Sequence, residues 1–288
     1  MIWFLYAFLT AFFESIKDVI SKKSLQNLNE YLIAWSLWFF ALPLLVPILL
    51  FTGIPKIQSD FFYALPVGGL FNILASVLYM KAIKHSDLSL TVPMVAFTPM
   101  FLLITSPLIV GEFPDIFGLL GVILIVLGSY LLQVQKRAEG FFQPFKSLLQ
   151  QKGPRYMLLV AFIWSISANV DKIGVTNSSP TLWITSMSLL ISIGLFPFVY
   201  KHIFGKKVEN KKGIISKVLP IGLIYSLVIL NQMIAINLTL VSYVISIKRM
   251  SAVFAVFWGF LIFKETGIRE RLLGVSIMIL GVLFITVL

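Results

Sequence analysis

The sequence predicts an all-α membrane protein with ten transmembrane helices, arranged as two five-helix repeats that are inverted relative to each other. The first supporting observation is composition: 59% of the 288 residues are hydrophobic and only 12% are charged, far outside the range of soluble domains. The second is that apolar stretches recur along the whole chain, each close to the roughly 20 residues that a bilayer requires. The third is an internal repeat, in which residues 118–128 match residues 271–281.

The apolar stretches define ten predicted spans, at about 3–24, 31–52, 61–83, 91–110, 115–135, 156–175, 181–201, 216–238, 242–263 and 270–288. The first span lacks a basic n-region and a small-residue cleavage site, so we expect a retained helix and not a signal peptide. A basic cytoplasmic linker, residues 136–155, separates the first repeat (1–135) from the second (156–288). The chain has no cysteine, which excludes disulfides and thiolate chemistry, and no cofactor is expected.

The two halves share sequence in register. Residues 118–128 read GLLGVILIVLG and residues 271–281 read RLLGVSIMILG, at an offset of 153. Glu112 falls on Glu265 at the same offset, each shortly before the last span of its half. Several matches in register indicate two homologous halves. The glycines of the fifth and tenth spans are interpreted as packing residues. These two spans are expected to face lipid or to pack the two halves together.

Charge predicts the orientation of the spans. Because five is odd, the second half must enter the membrane in the opposite sense to the first. With the N-terminus outside, 18 of the 23 basic residues lie in cytoplasmic loops and helix ends. Only Lys56 and Lys172 then lie outside, and Lys17, Lys248 and Arg249 lie within spans. The positive-inside rule therefore places both termini outside, and we expect a bacterial cytoplasmic (inner) membrane.

The net charge of +11 could indicate nucleic acid, but the basic residues occupy short loops between apolar helices, so topology explains them. The expected partners are the lipid bilayer, a small-molecule substrate and protons as a coupling ion. Because both halves lie in one chain, a monomer is expected to suffice. No enzyme is predicted, since the only histidines, His85 and His202, lie at loop ends and offer no triad or metal site.

The ninth span is the main candidate for a substrate site, because it carries Lys248 and Arg249 side by side in an apolar sequence. Charges at that depth usually face a bundle interior or a wet cavity. An ammonium group and a bidentate guanidinium fork together suit a phosphate or a carboxylate. The alternative is that Lys248 extends to a membrane interface at the start of its helix.

The first span is the second candidate. Glu14, Asp18 and Ser21 lie on one helical stripe, with Lys17 beside it. An acid within a span is a candidate proton carrier, and Glu14 is the better candidate of the two. The alternative is a local structural pair, Glu14 with Lys17 or Asp18 with Lys22.

Several other spans carry polar or amphipathic side chains that are costly in lipid unless they face inward. These residues complete the predicted lining of a polar cavity: Asn72, Tyr79, Trp164, Asn169, Ser188, Tyr225 and Gln232.

The pattern resembles the drug/metabolite transporter superfamily, specifically its EamA-type ten-helix members, along the whole chain. Trp164-Ser165 followed by Lys172 is similar to the family's W-G-x6-K opening of each half, with serine replacing the glycine. In the first half Glu14 takes the tryptophan position and Lys22 keeps the lysine, a spacing that also resembles small multidrug resistance proteins. Lys248-Arg249 resembles the phosphate-gripping pair of plastid triose-phosphate translocators. The resemblance implies substrate binding between the halves, alternating access and no covalent chemistry.

The leading functional hypothesis is a secondary active transporter of a small anionic or zwitterionic metabolite, coupled to protons or to exchange. Glu14 could bind protons or the positive end of a zwitterion, or could pair with Lys248 or Arg249 as a gate. One alternative is export of cationic drugs through Glu14. Another is a non-transporting membrane scaffold or lipid-binding protein that uses its basic loops.

Overall fold

The computed structural model describes residues 2–25, 28, 30–85, 92–133, 142, 146, 150–203, 211–263 and 268–287. These residues form only helices. The first half contains α1 (Ile2–Leu25), α2 (Glu30–Phe39), α3 (Leu42–Thr52), α4 (Ser59–His85), a 3-10 helix (Val92–Phe97), α5 (Thr98–Ile109) and α6 (Ile116–Gln133). The second half contains α7 (Lys152–Thr176), α8 (Pro180–Ile203), α9 (Lys211–Leu238), α10 (Val241–Lys248), α11 (Ser251–Phe263) and α12 (Ile268–Thr286). The all-helical class is confirmed; the Lys22 side chain, Glu265 and most of the predicted linker lie outside the described residues.

Many of these helices are long and apolar enough to cross a bilayer. Six stretches meet that condition: Tyr31–Thr52, Ser59–Tyr79, Lys152–Thr176, Pro180–Tyr200, Gly213–Leu238 and Val241–Trp258. Three shorter apolar helices are Met94–Ile109, Ile116–Leu132 and Leu272–Thr286. Large hydrophobic side chains such as Leu50, Leu108 and Ile193 are exposed on the outer surface, as expected for side chains that contact lipid. The chain is an integral membrane protein.

Two of the predicted spans change helical conformation at prolines, although each remains one apolar stretch. The span predicted at 31–52 is divided into α2 and α3. Pro43 has no N–H, and its ring would clash with the carbonyl group of Phe39, the last residue of α2. The span predicted at 91–110 begins as the 3-10 helix and continues as α5, with Pro99 in the first turn of α5.

The span predicted at 242–263 is also interrupted, between α10 and α11, although no proline or glycine lies there. The backbone N–H groups of Arg249 and Met250 donate to the carbonyl oxygens of Ser246 and Ile247, at 3.0 and 2.9 Å. These bonds span three residues, as in a 3-10 turn, and not four. Non-α backbone at membrane depth is tolerated where it is buried in protein or lines a cavity.

The two halves meet along α6 and α12, where glycines bring the backbones together. A Cβ atom at Gly121 would lie 2.6 Å from the carbonyl oxygen of Gly281, and one at Gly281 would lie 2.7 Å from that of Gly121. Gly128 and Gly274 are paired in the same reciprocal way, at 2.6 and 2.9 Å. Because the lower number on one helix meets the higher number on the other, α6 and α12 run antiparallel. Only glycine allows so close an approach.

Two further contacts between the halves correspond to each other under the sequence repeat. The first span (α1) packs against the eighth (α9), and the third (α4) packs against the sixth (α7). The main hydrophobic core runs through the same region and includes Ala11 of α1, Ala168 of α7, Trp183 of α8 and Ile236 of α9. The ends of α10 and α11 lie beside α1, which positions Lys248 and Arg249 against the charged face of the first helix.

Candidate functional site

Opposite charges from the two halves meet between α1 and α10. The Nζ atom of Lys17 lies 2.9 Å from Oε1 of Glu14 and 2.9 Å from Oδ1 of Asp18. The Nζ atom of Lys248 lies 3.9 Å from the same Glu14 oxygen. Glu14, Lys17 and Lys248 are largely buried, whereas the Asp18 side chain is 56% exposed. The local Glu14–Lys17 pair is therefore present, and Glu14 also contacts the candidate lysine of the other half.

The cluster retains unused hydrogen-bonding capacity. Lys248 Nζ donates to Oε1 of Gln232, at 2.8 Å, so α9 holds the lysine beside α1. Two buried atoms of the charged residues, Oε2 of Glu14 and Nε of Arg249, have no hydrogen-bond partner among the described residues. Five serine or asparagine oxygens of the described residues share this property. Buried polar atoms are normally paired, so the two atoms of the charged residues identify the cluster as a place where polar ligand atoms would fit. One atom would accept hydrogen bonds from a ligand and the other would donate.

Aromatic side chains border the charges. Lys17 Nζ lies 5.8 Å from the centre of the Tyr225 ring, within cation–π range, and Trp38 packs edge-on against Tyr225 at 5.2 Å. On α4 and α7, Tyr79 and Trp164 are 5.9 Å apart. The cation–π contact places Tyr225 directly beside the cluster. These rings provide apolar walls around a polar centre, as in many small-molecule sites.

Two of the predicted site residues join other helices, and a third has no hydrogen-bond partner among the described residues. Asn72 donates to Oγ of Ser167 at 2.7 Å and so fixes α4 against α7. Asn169 is fully buried and donates to Oγ1 of Thr105 at 3.0 Å, which fixes α7 against α5. Ser188 is fully buried and its hydroxyl has no partner among the described residues. No hydrogen bond or ion pair between described residues joins these three to the charged cluster.

A second ion pair joins the halves, and sequence reasoning did not assign it. Lys172 Nζ lies 3.0 Å from Oε1 of Glu112 and donates to the carbonyl oxygens of Ile236 and Thr239, at 2.8 and 2.9 Å. The other oxygen of Glu112 accepts the backbone N–H of Val241, at 3.0 Å. Lys172 thus supplies hydrogen bonds to carbonyl oxygens at the end of α9, and Glu112 caps the start of α10. Two features of the sequence could have drawn attention to this ion pair. Glu112 matches Glu265 in the repeat, and Lys172 belongs to the W-G-x6-K pattern.

Sequence reasoning also gave no role to Asp171 on α7, the residue beside Lys172. Its side chain is buried, and Oδ1 accepts a hydrogen bond from Nε1 of the fully buried Trp183, at 2.9 Å. The indole packs directly against Gly174, where any Cβ atom would overlap the ring. In the described part of the chain no group of three or more histidine, aspartate or glutamate side chains could hold a metal ion.

Comparisons with known proteins agree with this architecture. Two segments of the chain, residues 1–134 and 151–287, each match the EamA-like transporter family. Nineteen chains of solved structures match the fold. One of them, described only as the crystal structure of a protein, has a TM-score of 0.79 at 13% identity, over 99% of this chain and 96% of that chain. At that identity the likeness establishes the fold alone. No curated protein sequence is significantly similar to the chain.

Proposed function

The chain belongs to the EamA-like transporter family, and from that membership we propose that it carries a small anionic or zwitterionic metabolite across the membrane by alternating access. The observation that carries the proposal is the Lys248-Arg249 pair, which lies at the interruption between α10 and α11. Nε of Arg249 is buried there and has no partner in the described part of the chain. Cations are favoured at the carboxyl end of a short helix such as α10. Interrupted helices that aim charged ends at a substrate are typical of secondary transporters.

The proposed architecture is ten spans in two inverted repeats, 1–135 and 156–288, with both termini outside. The antiparallel contact of α6 and α12 supports it. Gly121 contacts Gly281, which matches Gly128 in the sequence repeat, and Gly128 contacts Gly274, which matches Gly121. Such reciprocal contact of equivalent positions is expected about a twofold axis in the membrane plane. The matching α1–α9 and α4–α7 contacts support the same symmetry.

The proposed binding step is a change of partner at Lys248. Glu14 lies 3.9 Å from Lys248 but 2.9 Å from Lys17, so Glu14 can lose the longer contact and remain neutralised by the shorter one. A carboxylate or phosphate between Lys248 and Arg249 would form charge-assisted hydrogen bonds with both. In this scheme the Glu14–Lys248 contact is the gate between the halves, and it opens when the anion arrives.

Glu14 is the specific reason to include zwitterions. Its Oε2 atom is buried without a partner, and the rings of Tyr225 and Trp38 lie close by. An ammonium group on the substrate would gain a charged acceptor and an aromatic face there. Export of a purely cationic drug is the second candidate for the same reason. It is disfavoured because Lys17 and Lys248 already stand beside Glu14, and both would repel an incoming cation.

The test is thermal stabilisation of the detergent-purified chain by a panel of phosphorylated, carboxylated, zwitterionic and cationic compounds. A compound that binds only the folded state stabilises it by about 2.7 kcal/mol at a hundredfold excess over Kd. We expect stabilisation by an anion or zwitterion that is lost in Lys248→Ala and in Arg249→Ala. Lys56→Ala, which removes an exposed basic side chain, is the matched control.

Two results would contradict the proposal. Stabilisation by cations alone, retained in both helix variants and lost in Glu14→Gln, would favour the cationic exporter. If no compound stabilises the wild type and neutral substitutions in the basic loops abolish its membrane interactions, the scaffold or lipid-binding alternative would be favoured.

A further inference from the structure

Asp171 is the buried acid that the proposed substrate site does not use. Its side chain is only 8% exposed, and its recorded hydrogen bond comes from a neutral donor, the indole N–H of Trp183. The other acids of the described bundle differ from it. Glu14 and Glu112 each have a lysine within 3.0 Å, and Asp18 has both a lysine and solvent exposure. No ion pair of Asp171 is found among the described residues.

The surroundings of Asp171 offer little neutralising charge. The α4 helix approaches α7 next to Asp171 at Gly68, where a Cβ atom would lie 3.1 Å from Cγ1 of Val170. Residues 64–71 around Gly68 contain no ionisable side chain. The α5 helix and the 3-10 helix before it contain no ionisable residue at all. The neighbouring Lys172 is directed at Glu112 and the end of α9.

The α9 and α10 helices both pack against α7, and each brings one ionisable group within electrostatic range of Asp171. These groups are Lys248, at the end of α10, and Tyr225 of α9. Lys248 therefore stands in the field of two acids, Glu14 and Asp171, and it is directly hydrogen-bonded to neither. A buried carboxylate with no counter-charge in contact is costly, and a proton is the smallest species that neutralises it.

We propose that Asp171 is a proton-binding site that couples proton movement to transport, with Lys248 as the neighbour that it shares with the substrate. This inference rests on the proposed function and adds the coupling ion and its site. A proton from water binds to the Asp171 carboxylate, and no other bond forms or breaks. When an anion binds Lys248 and Arg249, it balances their positive charges. Those charges then stabilise the Asp171 carboxylate less, which favours protonation of Asp171. Anion and proton then move together in the same direction.

Trp183 acts as a positioning residue for this acid. Its indole N–H can donate to a carboxylate or to the carbonyl oxygen of a carboxylic acid, so the 2.9 Å bond can persist in both forms. Gly174 provides the space that the indole needs beside α7. The acid is therefore held in one orientation while its charge changes.

The proton site can be tested without any substrate, by infrared difference spectroscopy of the purified full chain as pH is lowered. The wild type should gain the carbonyl stretch of a protonated, buried carboxylic acid. Asp171→Asn should lose that signal, whereas Asp60→Asn, which changes an exposed acid, should retain it. Trp183→Phe should move the band and the pH at which it grows, and this variant keeps the test open if Asp171→Asn does not fold. A signal that both variants leave unchanged, or its absence from the wild type, would overturn the proposal.

The coupling is tested in proteoliposomes with the anion that stabilises the wild type most. Wild type should accumulate that anion under an inward-directed proton gradient. Asp171→Asn should still exchange labelled for unlabelled anion and should lose gradient-driven accumulation. Accumulation equal to that of the wild type would overturn the coupling role. If the wild type itself moves no compound, the proposed function fails, and the infrared result still decides whether Asp171 binds a proton.

Discussion

Two ion pairs join the halves of this bundle, and they differ in how completely their polar atoms are paired. Lys172 lies within 3.0 Å of three acceptors, and both oxygens of its partner Glu112 are engaged. Within the described ranges Lys248 has one such acceptor, Gln232, and lies 3.9 Å from Glu14, whose other oxygen has no partner there. A fully paired network fixes structure, whereas a partly paired one has capacity left for a ligand. We therefore assign the first pair to stability and the second to binding.

The largest expected effect is on stability, from Lys172→Ala. The substitution leaves Glu112 and the carbonyls at the end of α9 without their cation, and breaking a buried pair costs about 3–5 kcal/mol. The free energy of unfolding, measured with a denaturing detergent, should fall by that order, and Lys56→Ala is the control. An unchanged free energy of unfolding would remove the structural role of the pair.

The next effect separates the pairs by ligand binding. Lys248→Ala should abolish anion-induced stabilisation, which is about 2.7 kcal/mol at a hundredfold excess over Kd. Glu112→Gln should keep that stabilisation while lowering the stability of the free protein. Calorimetric scans with and without the anion measure both quantities. The comparison breaks down if Glu112→Gln also abolishes stabilisation by the anion.

A smaller effect is expected from Gln232→Ala. The amide oxygen accepts a hydrogen bond from a charged donor, and such bonds contribute about 1.5–3 kcal/mol. Without it Lys248 is less well positioned, so anion binding should weaken by about tenfold for each 1.4 kcal/mol lost. Titration of the anion against intrinsic fluorescence measures the change. Asn231→Ala is a matched control, because the hydrogen bond that the Asn231 amide makes among the described residues is to Leu227 of its own helix. Equal weakening by the two variants would contradict the role assigned to Gln232.

The smallest effect has the opposite sign. If Glu14 competes with the anion for Lys248, Glu14→Gln should tighten anion binding, by a few-fold for a loosely paired contact of up to about 1 kcal/mol. Exchange across the membrane should slow at the same time, because the gate loses one partner. Weaker anion binding in this variant would show that Glu14 supports the site and does not compete for it.

The sequence was sufficient for the all-helical class, the repeat and one contact of the candidate site. Hydrophobic stretches and the match of residues 118–128 with 271–281 predict the packing glycines that join α6 and α12. The spacing of Glu14 and Lys17 on one helix predicts their pair, because local geometry alone brings them together.

The remaining features depend on contacts that the sequence does not encode locally. The interruption after Lys248 has no proline or glycine, so only the tertiary surroundings determine it. Lys172 binds carbonyl groups some 64 positions away, and a backbone acceptor has no sequence signature. Asn169 is predicted to line the cavity because it is polar, yet its amide donates to Thr105 of a neighbouring helix. Polarity predicts an inward orientation and does not predict which inward surface is contacted.

The most direct test of the central claim is current recording from proteoliposomes on a solid-supported membrane. Concentration jumps would use one phosphorylated, one carboxylated, one zwitterionic and one cationic compound. Movement of a charged substrate, or of protons with it, produces a transient current. We predict a current for an anionic or zwitterionic compound that is lost in Arg249→Ala and retained in Lys56→Ala. A current for cations alone, or an anion current that survives in Arg249→Ala, would contradict an anion site at Lys248 and Arg249.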